Sequence, residues 1–428
     1  MPRLLPQYFR GCLSQPSVFD WLCHSGVMRL TRRWFGGLGT IFVLHRVCRD
    51  DDQPLAPMFL SLGTLEEMLR EVRARGWDII GLDELPGRLL AGEGANPFAA
   101  FTFDDGYLDN LTLALPLFRK YAAPFAVYVC TGFLNRTVDP WWAALDRLVS
   151  ERDEIVAAFP GEAERAWPTN SRAGKESVFD RIWSCLFPGD ENATRLRGQL
   201  YARYAVDPRA EAGRVAMDWD QVRVLAADPL VTIGAHTVNH PALPTLAADE
   251  ARHEMQAGRD ELEQGLGKSI RHFAYPLGLF GAREVRLAQD AGFRTAVTTV
   301  SGNVFRDHGR ALHSLPRRNF FETAAERQTG RGARFTRNSV RGCDLLVNAL
   351  RGRRVRTCCK AAPPTRWESA SRSAVTTASP GCPPPWDISP PSGGSQDSPG
   401  RSWSSTTPPR TALRTSRARR GPRPQRRR

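Results

Sequence analysis

From residue 40 onward, apolar runs of strand length alternate with stretches of helical period. Thr40–His45 is β-branched and apolar, follows the breaker Gly36-Gly37-Leu38-Gly39, and predicts a strand. Thr64, with Glu67 three residues on, predicts a helix start with a capping box. Leu65, Met68, Leu69 and Val72 follow at helical spacing, and Gly76 ends that helix. Further strands are predicted at Asp78–Ile80, Phe98–Phe103, Pro124–Val129, Val231–Ala235, His272–Tyr275 and Thr295–Val300. Between them come a helix carrying Leu111, Leu115, Leu117 and Phe118, a long amphipathic helix Glu250–Leu266 closed by Gly267, and a helix Ala282–Ala291. Strands alternating with helices at this rate predict a parallel sheet with crossover helices, open or closed into a barrel. Residues Asn135 to about Met217 break the rhythm and read as a helical insertion that includes Trp141-Trp142.

Composition divides the 428 residues unevenly. Of 59 Lys and Arg and 45 Asp and Glu, 14 and 3 fall in residues 356–428, so most of the net charge of +14 belongs to that end. The same stretch is rich in Pro, Ser, Thr and Arg and poor in aliphatics, too poor to bury a core. It reads either as a disordered basic tail or as out-of-frame translation. Few aromatics are interleaved with its arginines for base stacking, which argues against specific nucleic-acid binding. Residues 1–39 read as a helical lead-in; its segment Arg29–Phe35 reads as a solvated helix end or as a peripheral membrane contact. No apolar run approaches the roughly 20 residues needed to span a bilayer. Nine cysteines with no Cys-x-x-Cys pair indicate free thiols rather than a disulfide or thiolate-metal framework, and with the plain N-terminus they predict a cytoplasmic protein.

Three strand ends carry the chemistry. Phe101-Thr-Phe-Asp104-Asp105-Gly106-Tyr107 sets two carboxylates at the end of an apolar strand, with an Asx turn as the plain alternative. Val231–Ala235 leads into His236-Thr-Val-Asn-His240, where one helical turn puts both imidazoles on one face. Two imidazoles and one carboxylate leave an open position on a divalent ion, and the second carboxylate is free to act as a general base. Phe273-Ala-Tyr275-Pro276-Leu277-Gly278 sets a turn whose N–H groups can face a developing oxyanion. Arg317, in Leu315-Pro316-Arg317, can order Asp104 or reach a substrate.

At these motifs, in this order, the chain resembles the polysaccharide deacetylases, the carbohydrate esterase family 4 group with a NodB homology domain. Leu44-His45-Arg46-Val47, Thr102–Tyr107, Trp219, Gly234–His240, Phe273–Gly278 and Leu315–Arg317 carry the resemblance, which covers roughly Thr40 to Phe320. It implies a distorted, incomplete (β/α) barrel in a catalytic domain spanning 40–355, with a helical segment near Leu345–Leu350 closing the domain. It implies Asp105, His236 and His240 as metal ligands, zinc being the best-fitting divalent metal. Asp104 is implied as the base, and Leu277 as an oxyanion-binding backbone position in a site with Tyr107, Tyr275, Pro276 and Gly278. The implied reaction releases acetate from an N-acetylated saccharide of chitooligosaccharide type.

Two departures bear on function. The family's Leu-x-His motif, source of the general acid, has its nearest counterpart in Ala311-Leu312-His313, so His313 is the expected acid, with Arg317 sharing the role. The family's aspartate-and-tryptophan substrate motif has no counterpart. A catalytically impaired carbohydrate-binding relative is the competing expectation.

Overall fold

The computed structural model describes residues 37–52, 54–91, 95–186 and 191–320. The expected tail at 356–428, the segment near Leu345–Leu350 and Arg29–Phe35 lie outside the described residues. Seven parallel strands form a ring: β1 (Gly39–Leu44), β2 (Phe98–Phe103), β3 (Phe125–Val129), β4 (Val231–Ala235), β5 (His272–Ala274), β6 (Thr295–Ser301) and β7 (Leu315–Asn319). Neighbours pair in sequence order from β2 to β7, and β1 closes the ring by pairing with both β7 and β2. This is the (β/α) barrel expected from sequence, incomplete in having seven strands, with its ring closed by β1. The short strand Asp78–Ile79 pairs with the start of β2, below the point where β3 begins to pair.

Both faces of β1, β2 and β3 are buried, so these strands read as nearly continuous apolar runs. The interior face holds Ile41, Ala100, Ala126, Tyr128, Ala274, Val297 and Leu315. Small residues predominate on some strands because Tyr128 fills the lumen from β3. A Cβ on Gly234 of β4 would lie 2.4 Å from that ring, so only glycine fits there. On the outer face, Phe101, Phe103 and Phe125 pack around Phe118 beneath the helices, with ring centroids 4.4–6.0 Å apart.

Helices α1 (Leu62–Ala74), α2 (Leu115–Lys120), α3 (Trp219–Ala227), α4 (Ala248–Leu266) and α5 (Ala282–Asp290) cover the ring. Helix α1 buries the predicted stripe Leu65, Met68, Leu69 and Val72, but its cap is Ser61 rather than Thr64. The Ser61 hydroxyl accepts from the Thr64 N–H, and Thr64 lies inside the helix, its side chain buried. Helix α4 ends, as expected, at left-handed Gly267.

The insertion is not purely helical. Besides helices such as Trp141–Ser150 and Arg172–Cys185, it contains an antiparallel hairpin, Glu154–Ala157 with Arg165–Pro168. Its own apolar core includes Leu145, Ile155, Phe159, Phe179 and Ile182 and extends to Leu55 and Phe59 of the barrel loops. Among the described residues there is no disulfide, and no helix is long and apolar enough to cross a membrane.

The lumen packing generates one stability prediction. Gly234→Ala forces its methyl into Tyr128 and should cost about 1–3 kcal/mol, the range for overpacked cores. A lowered melting temperature checks it; an unchanged one would mean that the Tyr128 ring can move aside.

Candidate active site and metal centre

The C-terminal ends of β1, β2, β4 and β5 converge on one cluster. Alternation along β2 puts Thr102 and then Asp104 on the lumen side, and Arg317 of β7 lies on the same side, fully buried. The Arg317 guanidinium donates from both terminal nitrogens to the two Asp104 carboxylate oxygens, each at 2.7 Å. It also donates to Thr102 Oγ1 at 3.1 Å, and its Nε donates to the Thr298 carbonyl at 2.9 Å. This fixes the fork from both sides, a geometry suited to arginine. Burial works to raise the Asp104 carboxyl, and Arg317, by charge and by hydrogen bond, outweighs it, so the group stays below its ordinary value.

One residue later the backbone turns left-handed, at Asp105 (φ 77°) and again at Gly106 (φ 84°). That reversal sends the adjacent carboxylates to different tasks. Asp105 Oδ1 lies 3.4 Å from His236 Nε2 and 3.4 Å from His240 Nε2. The oxygen is buried and has no hydrogen-bond partner. Burial acts to raise the Asp105 carboxyl, but the imidazoles of His236, His240 and His45 hold it well below the ordinary range. His236 is in turn raised, its burial outweighed by Asp105 and Asp104.

The two histidines do not stand on a helical turn, as the spacing suggested. They flank a tight loop with left-handed corners at Thr237 (φ 65°) and His240 (φ 53°), and their rings lie 4.9 Å apart. His236 Nδ1 faces the Ala274 carbonyl at 2.8 Å, which leaves Nε2 to point at Asp105. His240 packs against Trp142 and Phe133, with ring centroids at 5.8 and 6.1 Å.

These residues fit a divalent cation. Three donor atoms from Asp105, His236 and His240 lie within 4.8 Å of one another. Ligands about 2.0–2.2 Å from a tetrahedral centre stand about 3.3–3.6 Å apart. The Asp105 oxygen meets that spacing to both imidazoles, and it lacks the partner that a buried carboxylate oxygen needs. Three protein ligands leave a further position open, as in a catalytic rather than a structural site.

The remaining expected residues divide. Leu277 is left-handed (φ 57°), exposed, and follows β5 at the same end of the ring. Gly278 beside it is also left-handed, and a Cβ there would lie 1.8 Å from Thr299 Oγ1. With Pro276 these residues form the expected turn. Tyr107 is buried, and its hydroxyl accepts from Trp142 Nε1 at 2.6 Å, tying the insertion to the site. Burial and the Asp105 charge hold that hydroxyl well above its ordinary value. It is therefore a neutral anchor rather than a base.

Three expectations are corrected. Tyr275 points to the outer face, stacking on Phe280, and its hydroxyl donates to the His313 carbonyl. His313 precedes β7 at the N-terminal end of the strands, and its Nε2 faces the Phe293 carbonyl at 2.7 Å. It is held away from Asp104 and Asp105. Arg317, with its guanidinium committed to Asp104, positions the carboxylate rather than donating a proton.

The structure adds two residues. His45 follows β1 and is coupled electrostatically to Asp105, Asp104, Arg317 and His236. Burial holds its imidazole below the ordinary value, outweighing the two carboxylates. Its signal was a polar residue directly after an apolar barrel strand. Glu254 of α4 is buried and touches the histidine loop. Its signal was an acid within a stripe of otherwise apolar or small residues, Ala251, Met255, Gly258 and Leu262.

The pairing predicts a measurable titration. In Arg317→Met, Asp104 keeps its burial and loses the cation that holds its carboxyl down. That carboxyl should titrate at higher pH than in the wild type, followed by NMR of labelled aspartate. Stability above that pH should fall by about 3–5 kcal/mol, as for a buried pair with one partner removed. An unshifted titration would contradict the coupling.

The family model for polysaccharide deacetylase matches residues 199–296, a stretch that contains His236, His240 and Leu277. Among curated proteins, none matches the chain. The chain is similar to a deacetylase from Streptococcus pyogenes, PplD, solved in complex with acetate, at 17% identity over 68% of this chain and 96% of that one, with a TM-score of 0.42. It is similar to IcaB from Ammonifex degensii at 16% identity over 69% and 95% of the two chains, with a TM-score of 0.43. A polysaccharide deacetylase from Bacillus cereus is similar at 15% identity over 68% of each chain, with a TM-score of 0.42.

Proposed function

We propose that this chain, which carries a polysaccharide deacetylase domain, hydrolyses the N-acetyl group of an amino-sugar-containing saccharide, releasing acetate and a free amine. The observation that carries the proposal is the pair of neighbouring carboxylates with opposite environments. Asp104 is saturated by Arg317, while Asp105 presents a bare oxygen to two imidazoles.

A divalent cation held by Asp105, His236 and His240, zinc being the best match to two imidazoles and a carboxylate, supplies Lewis acidity toward the acetyl carbonyl and the attacking water. Asp104, ionised and held in one orientation by Arg317, takes a proton from that water as the new C–O bond forms. The turn at Leu277 offers backbone N–H to the oxyanion of the tetrahedral carbon. As the C–N bond breaks, the leaving amine takes up the proton that Asp104 accepted from the water. Chitooligosaccharide is the proposed saccharide class, supported by the family resemblance.

Acetate release from N-acetylglucosamine oligomers, with zinc added, tests the reading. The wild type should turn over. Asp104→Asn should lower kcat by about 10²–10⁴, the range for a lost general base, while zinc binding is kept. His236→Ala should lose both zinc and activity yet remain folded. Saccharide binding without acetate release, unaffected by Asp104→Asn, would instead identify an impaired carbohydrate-binding relative.

A further inference from the structure

We propose that Glu254 is a positioning residue for the metal centre: its carboxylate sets the shape of the loop that carries His236 and His240. This rests on the reading of Asp105, His236 and His240 as metal ligands.

The loop 236–240 is an awkward piece of chain. It turns through left-handed backbone at two non-glycine residues, Thr237 and His240. Such conformations cost free energy and persist where surrounding contacts over-determine them. Its N–H groups at Val238 and Asn239 point away from the ring of strands, toward α4. Glu254 meets them there. Its Oε2 accepts from Val238 N at 3.1 Å and Asn239 N at 2.9 Å, and its Oε1 accepts from Asn239 Nδ2 at 2.7 Å. Three donors thus converge on one buried carboxylate, and bonds to a charged acceptor are the strong ones.

The same helix brings its backbone close. A Cβ on Gly258, one turn beyond Glu254, would lie 2.7 Å from the Thr237 carbonyl carbon. On the other side, the loop's carbonyl groups are taken by the start of the short helix Thr131–Leu134 that follows β3. Gly132 N donates to the Val238 carbonyl at 2.8 Å, and Thr131 N donates to the Thr237 carbonyl at 3.2 Å. The loop is therefore clamped between two elements, and Glu254 supplies the clamp on the N–H side. Thr237 braces it from within, its Oγ1 accepting from His240 N at 3.1 Å.

A glutamine at this position keeps the shape and loses the function. It has one acceptor oxygen, and its NH2 group faces donors in place of the second. Its NH2 meets Asn239 Nδ2 unless that amide turns over, and in either case the negative charge that strengthens the bonds from Val238 N and Asn239 N is gone. The loop can then relax its left-handed corners, and the two imidazoles lose their alignment on Asp105.

The test compares zinc affinity, by competition with a chromogenic chelator, and the visible spectrum of the cobalt-substituted protein. Wild type, Glu254→Gln and Asn239→Ala full-length chains are used, and thermal melts of the metal-free forms report folding. Glu254→Gln should bind zinc about 10–100-fold more weakly, the usual effect of losing an outer-sphere partner. Its cobalt spectrum should change in intensity. Asn239→Ala, which removes one bond of the three, should give a smaller loss in the same direction. A merely structural role would lower the metal-free melting temperature and leave zinc affinity and the cobalt spectrum as in the wild type; that result overturns the proposal. If Glu254→Gln does not fold, Asn239→Ala decides by the same readout. Wild type that binds no zinc overturns the metal reading itself, and this inference with it.

Discussion

Two ionisable carboxylates placed side by side in a buried site demand compensation, and the arrangement at the end of this barrel follows from that demand. Each charge taken out of water costs several kcal/mol unless opposite charge or hydrogen bonds offset it. The chain answers twice, in different ways. Asp104 receives a complete answer from Arg317, which reaches it past β1, the one strand between β7 and β2. Asp105 receives an incomplete one, two imidazoles at 3.4 Å and an oxygen without a partner. The first arrangement holds Asp104 oriented and ionised, and the second leaves three donor groups that fit a cation.

Closure of the ring is what brings the two answers together. Asp104 and Arg317 are 213 positions apart in the chain and meet because β1 joins β7 to β2. The site's backbone departs from the regularity of the strands that support it. Of the seven non-glycine residues with positive φ among those described, four are Asp105, Thr237, His240 and Leu277. Three of them are held from outside: Thr237 and His240 by Glu254 and the helix Thr131–Leu134, and Leu277 by the packing of Gly278 on Thr299. The helical insertion contributes here too, since Trp142 reaches both Tyr107 and His240.

Much of this was legible in the sequence because it depends on local pattern. Strands Phe98–Phe103 and Val231–Ala235 were readable to the residue, being apolar runs that end in polar groups. Asp104, Asp105, His236 and His240 were readable as chemistry standing at strand ends. What was not legible depends on distance across the fold. The cap of α1 moved from Thr64 to Ser61, because two hydroxyls three residues apart both suit the role. His313 resembled a catalytic histidine by motif, but its position before β7 puts it at the opposite end of the ring, facing Phe293. His45 and Glu254 belong to elements remote in sequence from the residues they serve. Nothing local marks Glu254 beyond an acid in an otherwise apolar stripe.

The reading of this site turns on whether Asp105, His236 and His240 would together hold one metal ion. Anomalous diffraction from crystals of the protein grown with zinc tests it most directly. The prediction is a single strong peak bonded to Asp105 Oδ1 and to Nε2 of both histidines, with the Arg317–Asp104 fork intact beside it. A peak bound elsewhere, or density in which those three side chains contact each other with no ion between them, would contradict it.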